Sequence, residues 1–130
     1  MRAIATVFAL LFAGLLGIAS ARAAEVMNYT PAVMAAAQES GAPILVAIQA
    51  PWCPTCAAQK PILEKIEADA ANRNLRVILV DFDTQKDAVR KMGATMQSTL
   101  IMFNGKKEVA RSVGDTNGQT IEAMVRRSLV

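Results

Sequence analysis

Histidine is absent from all 130 residues. Its absence excludes Ser-His and Cys-His catalysis, and any histidine-ligated zinc. Cysteine occurs only twice, at Cys53 and Cys56. Proline is missing from every position after Pro61. Charge is nearly balanced, with 14 basic and 11 acidic residues giving +3. No basic block is longer than a pair such as Lys106-Lys107 or Arg126-Arg127. Those two pairs read as solvated surface, so nucleic acid is not an expected partner. No repeat, low-complexity tract or linker follows Ala24, and the length suits one domain.

The one long apolar run lies at the start. Met1-Arg2 is followed by an almost wholly apolar stretch from Ala3 to Ala19, then by Ala21-Arg22-Ala23. A positive start, an apolar core and small residues in an A-x-A arrangement form a secretory signal pattern. Residues 1–23 are therefore expected to be a signal peptide and 24–130 the folded domain. An uncleaved run anchoring the chain in a membrane is the alternative. Removing Arg2 and Arg22 would lower the net charge to +1. An exported protein, in the bacterial periplasm, is the expected localisation.

Along the remaining chain, Thr30-Pro31 pairs an N-cap residue with proline at a first helical position, predicting a helix to about Ser40, before Gly41 and Pro43. Ile44 to Ile48 is a continuous apolar run suited to a buried parallel strand. From Pro54 to about Ala71 the pattern is helical, with Ile62, Leu63, Ile66 and Ala70 on one face and Pro61 inside. Val77 to Val80 reads as a second buried strand. Thr84 and Asp87 are spaced like a capping box for a third helix ending at Gly93. Thr99 to Phe103 and Glu108 to Val113 form a hairpin about Asn104-Gly105. Asn117 to Leu129 closes the chain as a helix, and Val26 to Tyr29 is a further short strand. The order predicts an α/β fold with parallel strands and an antiparallel hairpin at one edge.

The two cysteines stand together in Trp52-Cys53-Pro54-Thr55-Cys56, between a strand and a helix. That placement reads as a thiol–disulfide redox centre. Cysteines three apart on a first helical turn can reach each other. Unpaired backbone N–H groups and the positive end of the helix dipole favour a thiolate at the first, and the thiolate is the attacking species. A structural staple is the blander reading, but so short a loop stabilises little. Metal binding is another, though two thiolates fall short of a four-ligand site without a second chain or help from Ser98. No metal or other cofactor is expected. Trp52, on a loop beside the pair, is expected to act in surface contact. Asp81 and Asp83 suit a loop and a helix start.

Met27 to Val130 resembles the thioredoxin family. The likeness rests on the apolar strand entering Trp52-Cys-Pro-Thr-Cys56, on Pro61 five residues beyond the second cysteine, and on Thr99-Leu-Ile-Met-Phe103 with its turn and return strand. It implies a thioredoxin-like fold, a central mixed β-sheet flanked by helices on both faces. It implies Cys53 as the nucleophile that forms a mixed disulfide, more exposed than Cys56, and Cys56 as the resolving thiol. Trp52, Pro54 and Thr55 would complete the motif, and Gln97, Ser98 and Thr99 would form the substrate loop. The Pro-Thr dipeptide resembles that of exported reductases of cytochrome c maturation. The implied activity is thiol–disulfide exchange on disulfide-containing exported proteins, by a monomer working with a membrane thiol donor or acceptor. A reductant is favoured; an oxidant, or a redox-inert metal-binding carrier on the same fold, is the alternative.

Three positions depart from that family. Ala47 replaces a buried aspartate and Leu79 its lysine partner. Ser98 replaces a cis-proline. A cis bond before serine costs about 2.5–4 kcal/mol, so a trans Gln97–Ser98 peptide is expected, with the Ser98 side chain within reach of the cysteines.

Overall fold

The computed structural model describes residues 23–130. The expected leader, up to Arg22, lies outside the described residues. Five strands form one sheet: β1 (Glu25–Asn28), β2 (Pro43–Gln49), β3 (Arg76–Asp81), β4 (Thr99–Asn104) and β5 (Lys107–Val113). Their spatial order is β1-β3-β2-β4-β5. β3 runs parallel to β1 and β2, while β4 is antiparallel to both β2 and β5. The helices are α1 (Pro31–Glu39), α2 (Pro54–Ala68), α3 (Lys86–Lys91) and α4 (Gly118–Ser128).

Alternation along the strands divides the core into two layers. Ile44, Val46, Ile48, Ile78, Val80, Ile101 and Phe103 pack with Met34 of α1 and Val89 of α3. Leu45, Ala47, Val77, Leu100 and Met102 face the other way, against Leu63 and Ile66 of α2 and Ile121, Met124 and Val125 of α4. β2 is buried on both sides, which accounts for its unbroken apolar run. The mixed sheet with helices on both faces is the architecture expected from the sequence.

Local signals hold at α1, where Thr30 Oγ1 accepts from the N–H of Val33 at 3.0 Å and Pro31 follows as the first helical residue. Four details differ from the sequence reading. α2 stops at Ala68 because Asp69 caps a separate 3-10 turn, Ala70–Asn72, by accepting from the N–H of Ala71; Ala70 is therefore exposed, off the apolar face. The Thr84–Asp87 capping box does not form. α3 begins only at Lys86, and Thr84 instead donates its N–H to Asp81 Oδ1. The hairpin loop is Gly105–Lys106, one residue later than expected, since Asn104 still pairs with Lys107 in the ladder. Gly105 takes the positive φ of +57° that the first loop position needs.

Candidate active site

The carboxyl end of β2 leads directly into the start of α2. There the Cys53 N–H bonds to the Ala50 carbonyl at 3.2 Å, and Pro54 opens the helix. Cys53 is the N-cap. Its Sγ accepts the backbone N–H of Cys56 at 3.1 Å, the bond an N-cap oxygen usually makes. Both residues are free thiols. The contact places a backbone donor on the Cys53 sulfur at the first turn of α2. Thr55 is half-buried and Pro54 exposed.

The expected order of exposure is reversed. Cys53 is 2% exposed and Cys56 8%. The Cys53 sulfur turns inward to cap the helix, packing with Ala50, Cys56 and Phe82. Burial raises the Cys56 thiol above the ordinary cysteine range. Its hydrogen bond with Cys53 and the Cys53 charge raise it further, while backbone groups of Ala50 and Ser98 pull it down.

The antiparallel pairing of Ile48 with Thr99 brings the Gln97-Ser98-Thr99 loop to the same end of the sheet. Thr99 is buried and its Oγ1 donates to the Met96 carbonyl at 2.7 Å. Gln97 is half-buried. No cis peptide occurs among the described residues, so Gln97–Ser98 is trans. Ser98 takes φ +54°, the only positive φ among the described non-glycine residues. Its hydroxyl donates to the Gln97 carbonyl at 2.6 Å.

Trp52 is 59% exposed, and its Nε1 donates to Asp83 Oδ2 at 2.6 Å. Asp83 belongs to a loop that Asp81 organises. Asp81 Oδ1 accepts from the N–H groups of Asp83 and Thr84, and those bonds, Thr84's first, hold its carboxyl below the usual range. Sequence reasoning assigned Asp81 and Asp83 to a loop and a helix start but missed Asp83 as the partner of Trp52. It also missed Gln59, which is 2% exposed and donates to the carbonyls of Ser98 (3.2 Å) and Asp115 (2.8 Å). A signal was present. Cys56, Gln59, Leu63 and Ile66 form the buried stripe of α2, and Gln59 is its only amide.

Beside the cysteines lies a groove of about 730 Å³ along α2, lined by Cys53, Cys56, Lys60, Glu64 and Glu67, with Val26 and Leu79 in its wall. Ala47 is buried and apolar in its surroundings. At the far end, burial and then the Glu64 charge raise the Glu67 carboxyl. Among the described residues, no three Cys, Asp or Glu side chains come together as metal ligands.

Comparison with known proteins agrees with this geometry. A family model described as Thioredoxin matches residues 24–127. The chain is 36% identical over 75 residues to the bifunctional thioredoxin reductase/thioredoxin of Mycobacterium leprae, covering 58% of this chain and only 16% of that protein. It is 26% identical over 93 residues to the thioredoxin of Bacillus subtilis, covering 72% of this chain and 88% of that one. Among solved structures, Trxlp of Edwardsiella tarda EIB202 superposes with a TM-score of 0.76 at 42% identity, covering 78% of this chain and 98% of that one.

Proposed function

This chain belongs to the thioredoxin family, and on that premise we propose that its Cys53–Cys56 pair reduces disulfides of exported proteins. The general reaction, thiol–disulfide exchange, is that of its thioredoxin relatives. The observation that carries it here is the N-cap thiol. Cys53 Sγ accepts the Cys56 N–H while the second thiol sits one turn along the same helix.

The Cys53 thiolate attacks one sulfur of a client disulfide. A Cys53–client disulfide forms and the other client sulfur leaves as a thiolate. Cys56 loses its proton to solvent and attacks Cys53 Sγ. The Cys53–Cys56 disulfide forms, and the client's remaining sulfur departs as a thiolate that solvent protonates. Two electrons have passed from the pair to the client.

The direction follows from what stabilises the dithiol. A strongly stabilised thiolate favours the reduced form and makes the disulfide an oxidant. Here there is no histidine to do so, and burial disfavours the Cys56 thiolate. Both support a reductant. Export is supported by Arg2, the apolar run and Ala21-Arg22-Ala23. A membrane thiol donor would then re-reduce the pair, which works as a monomer.

The test is mixed-disulfide trapping beside insulin reduction. Wild type should reduce insulin, Cys56→Ser should accumulate mixed disulfides with exported clients, and Cys53→Ser should trap none. Equal trapping by both variants would remove the assigned roles. The exported form should begin Ala24-Glu25-Val26 on N-terminal sequencing.

A further inference from the structure

The carboxyl end of α2 has no free cation of its own. A helix leaves its last carbonyls without intrahelical partners and carries partial negative charge there. The Ile66 carbonyl accepts from the Asp69 N–H at 3.3 Å and from Asn72 Nδ2 at 2.8 Å. The Glu67 carbonyl accepts from the N–H of Ala24 at 2.8 Å. Lys65 is the one basic residue in the last turn, and its ammonium is bonded to Glu122 of α4 at 2.7 Å. Glu64 and Glu67 bring two carboxyl groups to the same stretch, and burial with the Glu64 charge raises that of Glu67.

Ala24 is held where it meets this helix. It is half-buried against the core layer of α2 and α4. The next residue, Glu25, donates its N–H to the Leu75 carbonyl at 3.1 Å and pairs its carboxylate with Arg76 at 2.6 Å. Ala23 is exposed. Ala24 is also the residue that follows Ala21-Arg22-Ala23. Cleavage there puts the new amino terminus on the nitrogen that already touches α2.

We propose that cleavage after Ala23 makes a charge site: the new α-ammonium of Ala24 docks on the Glu67 carbonyl and supplies the cation that the end of α2 lacks. This inference rests on the export reading above. A peptidase adds water across the Ala23–Ala24 peptide bond; the Ala23 carboxyl gives up a proton and the Ala24 amine takes one. A neutral amide donor becomes a charged donor at the same atom, and charge-assisted hydrogen bonds are the stronger kind. Removal of the leader thereby stabilises the domain that remains.

The pH dependence has a definite sign. Docking raises the folded pKa of this amine above the ~7.7–8.0 of a free α-amine. Its stabilisation is complete below that value and is lost as pH rises through the folded pKa. The charged groups of the elements that meet here are Glu64, Lys65 and Glu67 of α2, Glu25 of β1, Arg76 of β3 and Glu122 of α4.

The experiment compares the processed protein, beginning at Ala24, with the same chain begun one residue earlier at Ala23. Every strand and helix of the described fold lies between Glu25 and Ser128, so both forms hold the whole fold. They share every group just named, the net charge and the Ala24 N–H; only the position of the ammonium differs. At pH 6 the Ala24 form should melt about 2–5 °C higher, the scale of a cation at a helix end. The gap should close as pH approaches 10. Titration by NMR should place the Ala24 amine above ~8 and leave the Ala23 amine in the free range. Equal melting at pH 6, a gap that persists unchanged at pH 10, or an Ala24 midpoint in the free range would each overturn the proposal. The export reading fails separately, on N-terminal sequencing of the exported protein.

Discussion

At Cys56 two influences oppose each other. Burial, with the Cys53 contact behind it, disfavours the thiolate; backbone groups of Ala50 and Ser98 favour it, and burial wins. The sign of the pH dependence follows. The attacking form is the thiolate, so a raised pKa leaves a small reactive fraction near neutrality, growing about tenfold per pH unit below the pKa. Release of a client from a preformed Cys53 mixed disulfide should therefore accelerate with pH and keep accelerating beyond about 8.5, the value of a free cysteine. Single-turnover release measured from pH 6 to 10 checks this, and a plateau below pH 8 would contradict it. At this scale the sequence was partly legible. The Cys-x-x-Cys spacing and the exceptional Ser98 stand out in a linear reading. The inward turn of Cys53 does not, because it depends on a cap bond formed only once α2 exists. The meaning of Gln59 also depends on what lies across from it, a loop 39 residues away.

Elements were legible where apolar periodicity is strong and misjudged at their ends, where one side chain decides. Asp69 ends α2 by capping a 3-10 turn, and Asp81 accepts the Thr84 N–H that the Asp87 carboxylate of a capping box would have taken. By contrast the start of α4 was read within a residue, because Asn117 makes its cap in cis: Oδ1 accepts from the N–H groups of Gln119 (2.9 Å) and Thr120 (3.2 Å). Asn117→Ala should cost about 1 kcal/mol. For a domain of this size that corresponds to a fall in Tm of roughly 4–8 °C. Thermal denaturation followed by far-UV circular dichroism checks it. An unchanged Tm would mean that packing of Ile121, Met124 and Val125 against the sheet fixes this helix without its cap.

For the whole molecule, the sheet order places everything reactive at one end. β2 and β3 are parallel and β4 returns antiparallel, so the ends of β2 and β3 and the beginning of β4 meet there. This is the end of a sheet where α/β proteins form their sites. The mixed sheet, its antiparallel edge hairpin and the helices on both faces were legible in the sequence, whereas the strand order came only with the structure. The groove beside the cysteines was not legible either, since no run of residues announces a space between α2 and the β1–β3 edge. The central claim is that this arrangement holds a redox pair poised to reduce. It is tested most directly by equilibrating the protein with glutathione buffers over a range of ratios and quantifying the dithiol and disulfide forms. The account predicts a single two-electron transition at a potential more negative than the glutathione couple. A transition well above that couple would make the protein an oxidant, and no Cys53–Cys56 disulfide at any ratio would make the pair inert; either contradicts the account.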